Sequence, residues 1–122
     1  MADTILEINK ILEAYTKEVT EGIKEIAEEI GEDAVKELKS TSPKRNRKYA
    51  GSWRKKVDKG SNFINIKIHN AKYYRLTHLL EYGHATRSGG RTNAQPHIQP
   101  IEEKSNLRFI KEVEALLKNG GK

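Results

Sequence analysis

Ten residues in the middle of the chain, Ser61 to Asn70 (SNFINIKIHN), leave little freedom in how it folds. Ile64, Ile66 and Ile68 alternate with Phe63, Asn65, Lys67 and His69. Side chains of a strand point to opposite faces in turn, so this is a strand with its isoleucines on a buried face. Asp58-Lys59-Gly60-Ser61-Asn62, just before it, is turn chemistry, and Trp53 and Val57 precede that turn. Residues 52–58 and 62–69 are therefore expected to form an antiparallel hairpin.

Helical spacing brackets the hairpin. Ile5, Ile8, Ile11/Leu12, Tyr15, Val19, Ile23, Ile26, Ile30, Ala34 and Leu38 step by three and four. They predict one amphipathic helix from a cap at Asp3 or Thr4 to about Lys39, with Gly22 and Gly31 as weak points. Leu76, Leu79 and Leu80 share one face of a short helix, which Gly83 ends by taking a positive φ. Thr86 to Asn93 is too rich in glycine and charge to pack on itself, so a mobile loop is expected. Pro100 fits the first turn of a last helix, whose apolar positions are Ile101, Leu107, Ile110, Val113, Leu116 and Leu117.

The predicted class is α+β, in one domain over residues 1–122. Its parts are a long acidic helix (1–39), a basic segment with the hairpin (40–72), a short helix (73–84), a loop (85–98) and a C-terminal helix (99–118). The chain has no cysteine, which excludes disulfides and thiolate metal sites. No apolar run approaches the ~20 residues of a membrane span, and Met1-Ala2-Asp3 does not open a signal peptide, so a soluble product of the cytoplasm is expected.

The net charge of +6 conceals two halves of opposite sign. Residues 1–39 hold eleven acids and five lysines, or −6, and residues 40–122 hold eighteen Lys/Arg and six acids, or +12. Such a chain can dock its acidic helix on its own basic body or on a neighbour's. Glu25, Glu28 and Glu29 on the helix are the candidate contacts. Their counterparts are Lys44, Arg45, Arg47, Lys48, Arg54 and Lys55, with Arg87 and Arg91 in the loop. Tyr49 and Trp53 interleave the basic segment, which could therefore grip phosphates and stack on bases. A basic loop leading into an edge strand is the plainer alternative.

Catalysis and metal binding find little support. His78 and His84 are six residues apart, not the four that place two ligands on one helical face. Glu81 near His84 could be drawn as a general base, but polar residues at a helix end more often form a cap network or an ion pair, here with Lys72, Arg75 or a loop arginine. No catalytic residue, metal ligand or cofactor site is assigned.

Three strings in order carry a resemblance. They are Thr41-Ser42-Pro43-Lys44-Arg45 leading to Tyr49-Ala50-Gly51-Ser52-Trp53, then Leu76-Thr77-His78-Leu79-Leu80-Glu81-Tyr82-Gly83-His84, then Gln95-Pro96-His97-Ile98-Gln99-Pro100-Ile101-Glu102-Glu103-Lys104. Over residues 40–118 the chain resembles the small neck or tail-component proteins of long-tailed bacteriophages and their prophages. Where that family often has Thr-Gly after the basic string, this chain has Asn46-Arg47. The motif positions are Trp53, Leu76, Leu79, Leu80, Glu81, Gly83, His84, Pro96 and Pro100. The resemblance implies a non-catalytic virion protein at the joint between capsid and tail. Its partners would be other head-completion and tail proteins, with its own copies in a ring and DNA in passing contact. Two other readings stand beside it: a small basic nucleic-acid-binding module using Lys44 to Lys56, and a metal-dependent nuclease built on the histidines.

Overall fold

The isoleucine strand is the centre of a three-stranded antiparallel sheet in the order β1-β3-β2. The structure, a computed structural model, describes residues 6–43 and 47–120, with the backbone alone for Arg47. In β3 (Phe63–Asn70), Ile64, Ile66 and Ile68 are fully buried. The hairpin partner is β2 (Trp53–Lys59), with Val57 opposite Ile66 and Lys59 opposite Ile64. Both strands fall within a residue or two of the expected bounds.

The first strand, β1 (Leu6–Ile11), corrects the reading of one helix from residue 3 or 4 to 39. It pairs with the other edge of β3, Leu6 opposite Ile68 and Ile11 opposite Phe63. Leu6 and Ile8, two apart, are buried, while Glu7 and Asn9 are exposed. The same residues fit both periods. The unpaired backbone of the β3 edge decides between them, because each ladder bond satisfies a group that would otherwise lack a partner. The change of period turns Ile11 away from the core, and it is 68% exposed. The expected caps at Asp3 and Thr4 lie outside the described residues.

The long helix is α1 (Lys17–Thr41), capped by Thr16, whose Oγ1 accepts from Val19 N at 3.3 Å. Its buried stripe, Val19, Ile23, Ala27, Ile30, Ala34 and Leu38, lies across the sheet. The helix does not break at Gly31, because the glycine serves packing there. A Cβ on Gly31 would sit 2.9 Å from Ile66 Cγ2, so its absence lets α1 lie close on β3.

Three further helices complete the chain: α2 (Arg47–Gly51), α3 (Tyr74–Tyr82) and α4 (Gln99–Lys118). The helix α2 occupies part of what reads as a basic loop. It turns Tyr49 inward, and both Tyr49 and Trp53 are core residues. Neither is available to stack on a base. The last helix packs against α1, burying Ile101, Ser105 and Val113 with Phe109 and Leu116 half-buried. Leu107, Ile110 and Leu117, expected in the core, are instead exposed, because that stripe lies round the helix from the face meeting α1. On the far side of the sheet no helix lies among the described residues: Glu7, Asn9, Arg54, Lys56, Asp58 and Lys67 are exposed there.

Candidate assembly surface and the buried junction beneath it

The three resemblance strings meet at one place inside the protein. Glu81, the penultimate residue of α3, is 3% exposed. Its Oε1 accepts from His97 N at 2.8 Å and Ile98 N at 2.9 Å, and its Oε2 accepts from Gln99 N at 3.0 Å. These amides open α4, whose N-cap residue Ile98 has no side-chain acceptor of its own. Glu81 therefore caps a helix eighteen residues later in the chain, placing a carboxylate on the positive end of its dipole. Burial works to raise the Glu81 carboxyl. The three amides and the nearby His97 ring outweigh it and hold the group below the usual carboxylate range.

The His97 ring continues the network. Its Nδ1 lies 2.7 Å from Gln95 O and 3.1 Å from Glu81 Oε1. Both are acceptors, so Nδ1 carries a proton and donates. Nε2 meets the Tyr49 hydroxyl at 2.8 Å. Burial first, and the Glu81 charge second, push the Tyr49 phenol well above its ordinary range, so its O–H is the donor to Nε2. Tyr49, Trp53 and His97 pack edge to face, with centroids 5.7 to 6.4 Å apart. Trp53 Nε1 donates to Ser42 Oγ at 2.8 Å, and Ser42 is the C-cap of α1. Asn70 at the end of β3 donates to Tyr49 O at 2.9 Å and accepts from Tyr73 N at 2.9 Å. Among the described residues no buried side-chain nitrogen or oxygen lacks a partner. Glu81 thus belongs to a cap network, one of the two roles expected for it, and bonds with none of the cations named for the other. Sequence spacing could not reveal a cap supplied from another helix.

Gly83 ends α3 at φ 73°, as expected. A Cβ there would stand 2.5 Å from Thr92 O, so any side chain would collide with backbone. The loop beyond it is exposed, and its backbone is bonded to itself at the surface. Ala85 and Arg91 form an antiparallel bridge, Thr86 N donates to Gly90 O at 2.8 Å, and Thr92 N donates to His84 O at 2.8 Å. Gln95 N returns to Leu80 O at 2.8 Å, and Arg91 Nη2 donates to Gly83 O at 3.3 Å. Leu79, Leu80, His84, Arg91 and Pro43 line an open groove of roughly 430 Å³ between the loop and α3. Leu79 is 40% exposed, because α3 turns Thr77 and Glu81 inward and not its leucines alone. Pro96 is exposed ahead of α4, and Pro100 lies in that helix's first turn.

Charge is divided between the two sides of the sheet. Part of the acidic helix docks on the chain's own cations: Glu28 with Lys59 at 2.7 Å, Glu37 with Lys104 at 2.7 Å, and Asp33 and Glu29 with Arg108 at 2.7 and 3.5 Å. Glu25 is exposed with no such partner among the described residues. Lys55 lies half-buried over Gly31 on the α1 side. Arg54, on the open side, donates through Nη1 to Gly51 O and Trp53 O at 2.8 Å each. Lys48 is exposed on α2, as is Arg87 at the loop tip. Lys44 and Arg45 lie outside the described residues, and Arg47 is placed on α2 by its backbone.

The four histidines do not gather. His69 is on the open sheet face, His78 stacks on Tyr82 at 6.5 Å, His84 meets Thr92 at 3.1 Å, and His97 is buried in the junction. No group of three or more His, Cys, Asp or Glu among the described residues could hold a metal ion. No helix among them is long and apolar enough to cross a membrane.

No curated protein and no solved structure matches this chain. One family model does, that described as "Bacteriophage HK97-gp10, putative tail-component", over residues 7–83. That span runs from β1 through the sheet, α1 and α2 to the glycine that ends α3. The loop and α4 follow it. The chain belongs to the HK97-gp10-like family of bacteriophage tail components.

Proposed function

We propose that this tail component is a structural part of the virion acting at the joint between head and tail, through protein–protein assembly and without a catalytic step. The match over residues 7–83 carries the reading, since it covers the sheet, α1 and the α3 motif together. The surface supports it. Leu107, Ile110 and Leu117 form an exposed stripe on α4, and Leu79 and Tyr82 are exposed on α3. Apolar side chains grouped on helix faces suit contact with other proteins. The unpaired acids of α1, Glu25 foremost, face outward to meet a basic neighbour. In this reading the protein is made in the host cytoplasm and joins other head-completion and tail proteins, with its own copies closing a ring.

Deleting the gene from a phage that carries it tests the proposal. Filled heads and complete tails should accumulate unjoined, and supplying the protein in trans should restore infectious particles. Normal particle yield after deletion, or a failure to form heads at all, would overturn it.

A further inference from the structure

The sheet has an open face on which the chain places like charges side by side. Lys56 of β2 and Lys67 of β3 are direct cross-strand partners, and Arg54 and His69 are the next pair on the same face. Directly opposed cations cost stability in a sheet, because their Cβ atoms stand only ~5 Å apart. Two acids share the face, Glu7 opposite Lys67 and Asp58 two residues beyond Lys56, but neither forms an ion pair with these lysines among the described residues. Glu7, on the other side of Lys67, turns its carboxylate to Asn65 Nδ2, and neither lysine has a carboxylate within ion-pair distance among the described residues. On the opposite side of the molecule, Lys59, Lys104 and Arg108 are each paired with an acid of α1. Cations without an ion-pair partner are therefore gathered on one exposed sheet face, where they outnumber the acids Glu7 and Asp58.

We propose that this face, centred on Lys56 and Lys67 with Arg54 and His69 beside them, binds the phosphate backbone of a nucleic-acid duplex. A protein partner fits it poorly, because protein interfaces bury an apolar centre depleted of charge. Here the centre is charged, and the apolar residues Ile11 and Phe63 stand opposite one another at the far end of the ladder. Interfaces with nucleic acid are polar and strongly positive, and contacts to phosphate position the protein without reading sequence. Arg54 spends one nitrogen on backbone carbonyls, which leaves its other N–H groups for an anion. Tyr49 and Trp53 are buried, so base stacking plays no part. The inference does not depend on the joint reading, since a protein with no affinity for nucleic acid could still join heads to tails.

The test is fluorescence anisotropy of a labelled duplex with the purified full chain, wild type against the Lys56→Gln/Lys67→Gln double variant, as salt rises from about 50 to 200 mM. Each phosphate contact contributes about 0.9 to the slope of log affinity against log salt. The double variant should lose about two of slope, equivalent to a roughly tenfold smaller fall in affinity over that range, and should bind mixed sequences equally weakly. Its Tm should rise, because the cross-strand repulsion is gone. That rise separates lost contacts from damaged folding. A double variant that binds duplex like wild type would overturn the proposal. So would a wild type that binds a poly-glutamate chain as tightly as duplex through the same two lysines, which would identify an acidic protein partner.

Discussion

Glu81 and His97 meet twice, through backbone and through ring: Glu81 Oε1 accepts the His97 amide at 2.8 Å and stands 3.1 Å from its Nδ1. A single carboxylate thereby fixes the start of α4, the conformation of the segment before it and the orientation of an imidazole that holds Tyr49.

Glu81→Gln should destabilise the protein at neutral pH by about 2–4 kcal/mol, since a neutral amide replaces a charge that three backbone donors address. The pH dependence follows from the direction of the shift. The folded carboxyl titrates below its unfolded value. Its contribution is therefore complete above the unfolded value of about 4.3 and lost as pH falls through the lower folded value. Urea unfolding from pH 7 to pH 3 should show wild type and variant converging at the acid end. A constant gap across that range would contradict the assignment.

Two glycine substitutions in α1 should differ in sign. Alanine gains about 1 kcal/mol over glycine in a helix. At Gly31 the new methyl would press on Ile66, which is fully buried, and overpacking of about 1–3 kcal/mol should exceed the gain. At Gly22 the obstacle is the end of the half-buried Leu116 side chain, 2.7 Å away, which can turn aside. Gly22→Ala should be neutral or stabilising and Gly31→Ala destabilising, read as two shifts of Tm.

Ile66→Asp places an unpaired charge at a fully buried position of the central strand and should abolish cooperative unfolding altogether. A melting temperature within a degree or two of wild type would rule out the β2–β3 register.

Reversing Glu25, Glu28 and Glu29 to lysine tests assembly. Glu28 and Glu29 pair with Lys59 and Arg108, but exposed pairs contribute only ~0–1 kcal/mol each, so the variant should stay folded by circular dichroism. Heads and tails should then fail to join. Normal infectious particles from this variant would exclude the acidic helix from the contact.

Amides of residues 85–95 should exchange rapidly in the free protein, because the bonds closing this loop lie at the surface with almost no apolar burial beneath them. Protection in assembled particles would mark the loop as a contact. Fast exchange in both states would make it a connection only.

What could be read from residue order was what depends on local period. The hairpin, the bounds of α3 and the positive φ at Gly83 all follow from neighbours in sequence. The misreadings share a different cause. At Leu6–Ile11 two periods fit, and only the open edge of β3 chose between them. On α4 the apolar residues encircle the helix, so the buried stripe was set by where α1 lies. The junction of Ser42, Tyr49, Trp53, Glu81 and His97 joins positions up to 55 residues apart, and no local spacing encodes it. The motif strings nevertheless contained all five of its members.

The pairing of β1 with β3 also sets an order of events. Leu6 and Ile68 belong to the first and third strands, with all of α1, α2 and β2 between them. The β2–β3 hairpin can close locally on a microsecond scale, whereas β1 must wait until more than half of the chain has been made and then close a long loop. Until it does, one edge of an isoleucine-rich strand stands open. The growing chain is most prone to pair with another copy during that interval, and shortening the wait, by inserting β1 directly after β3 in a rearranged chain, should raise the yield of soluble protein.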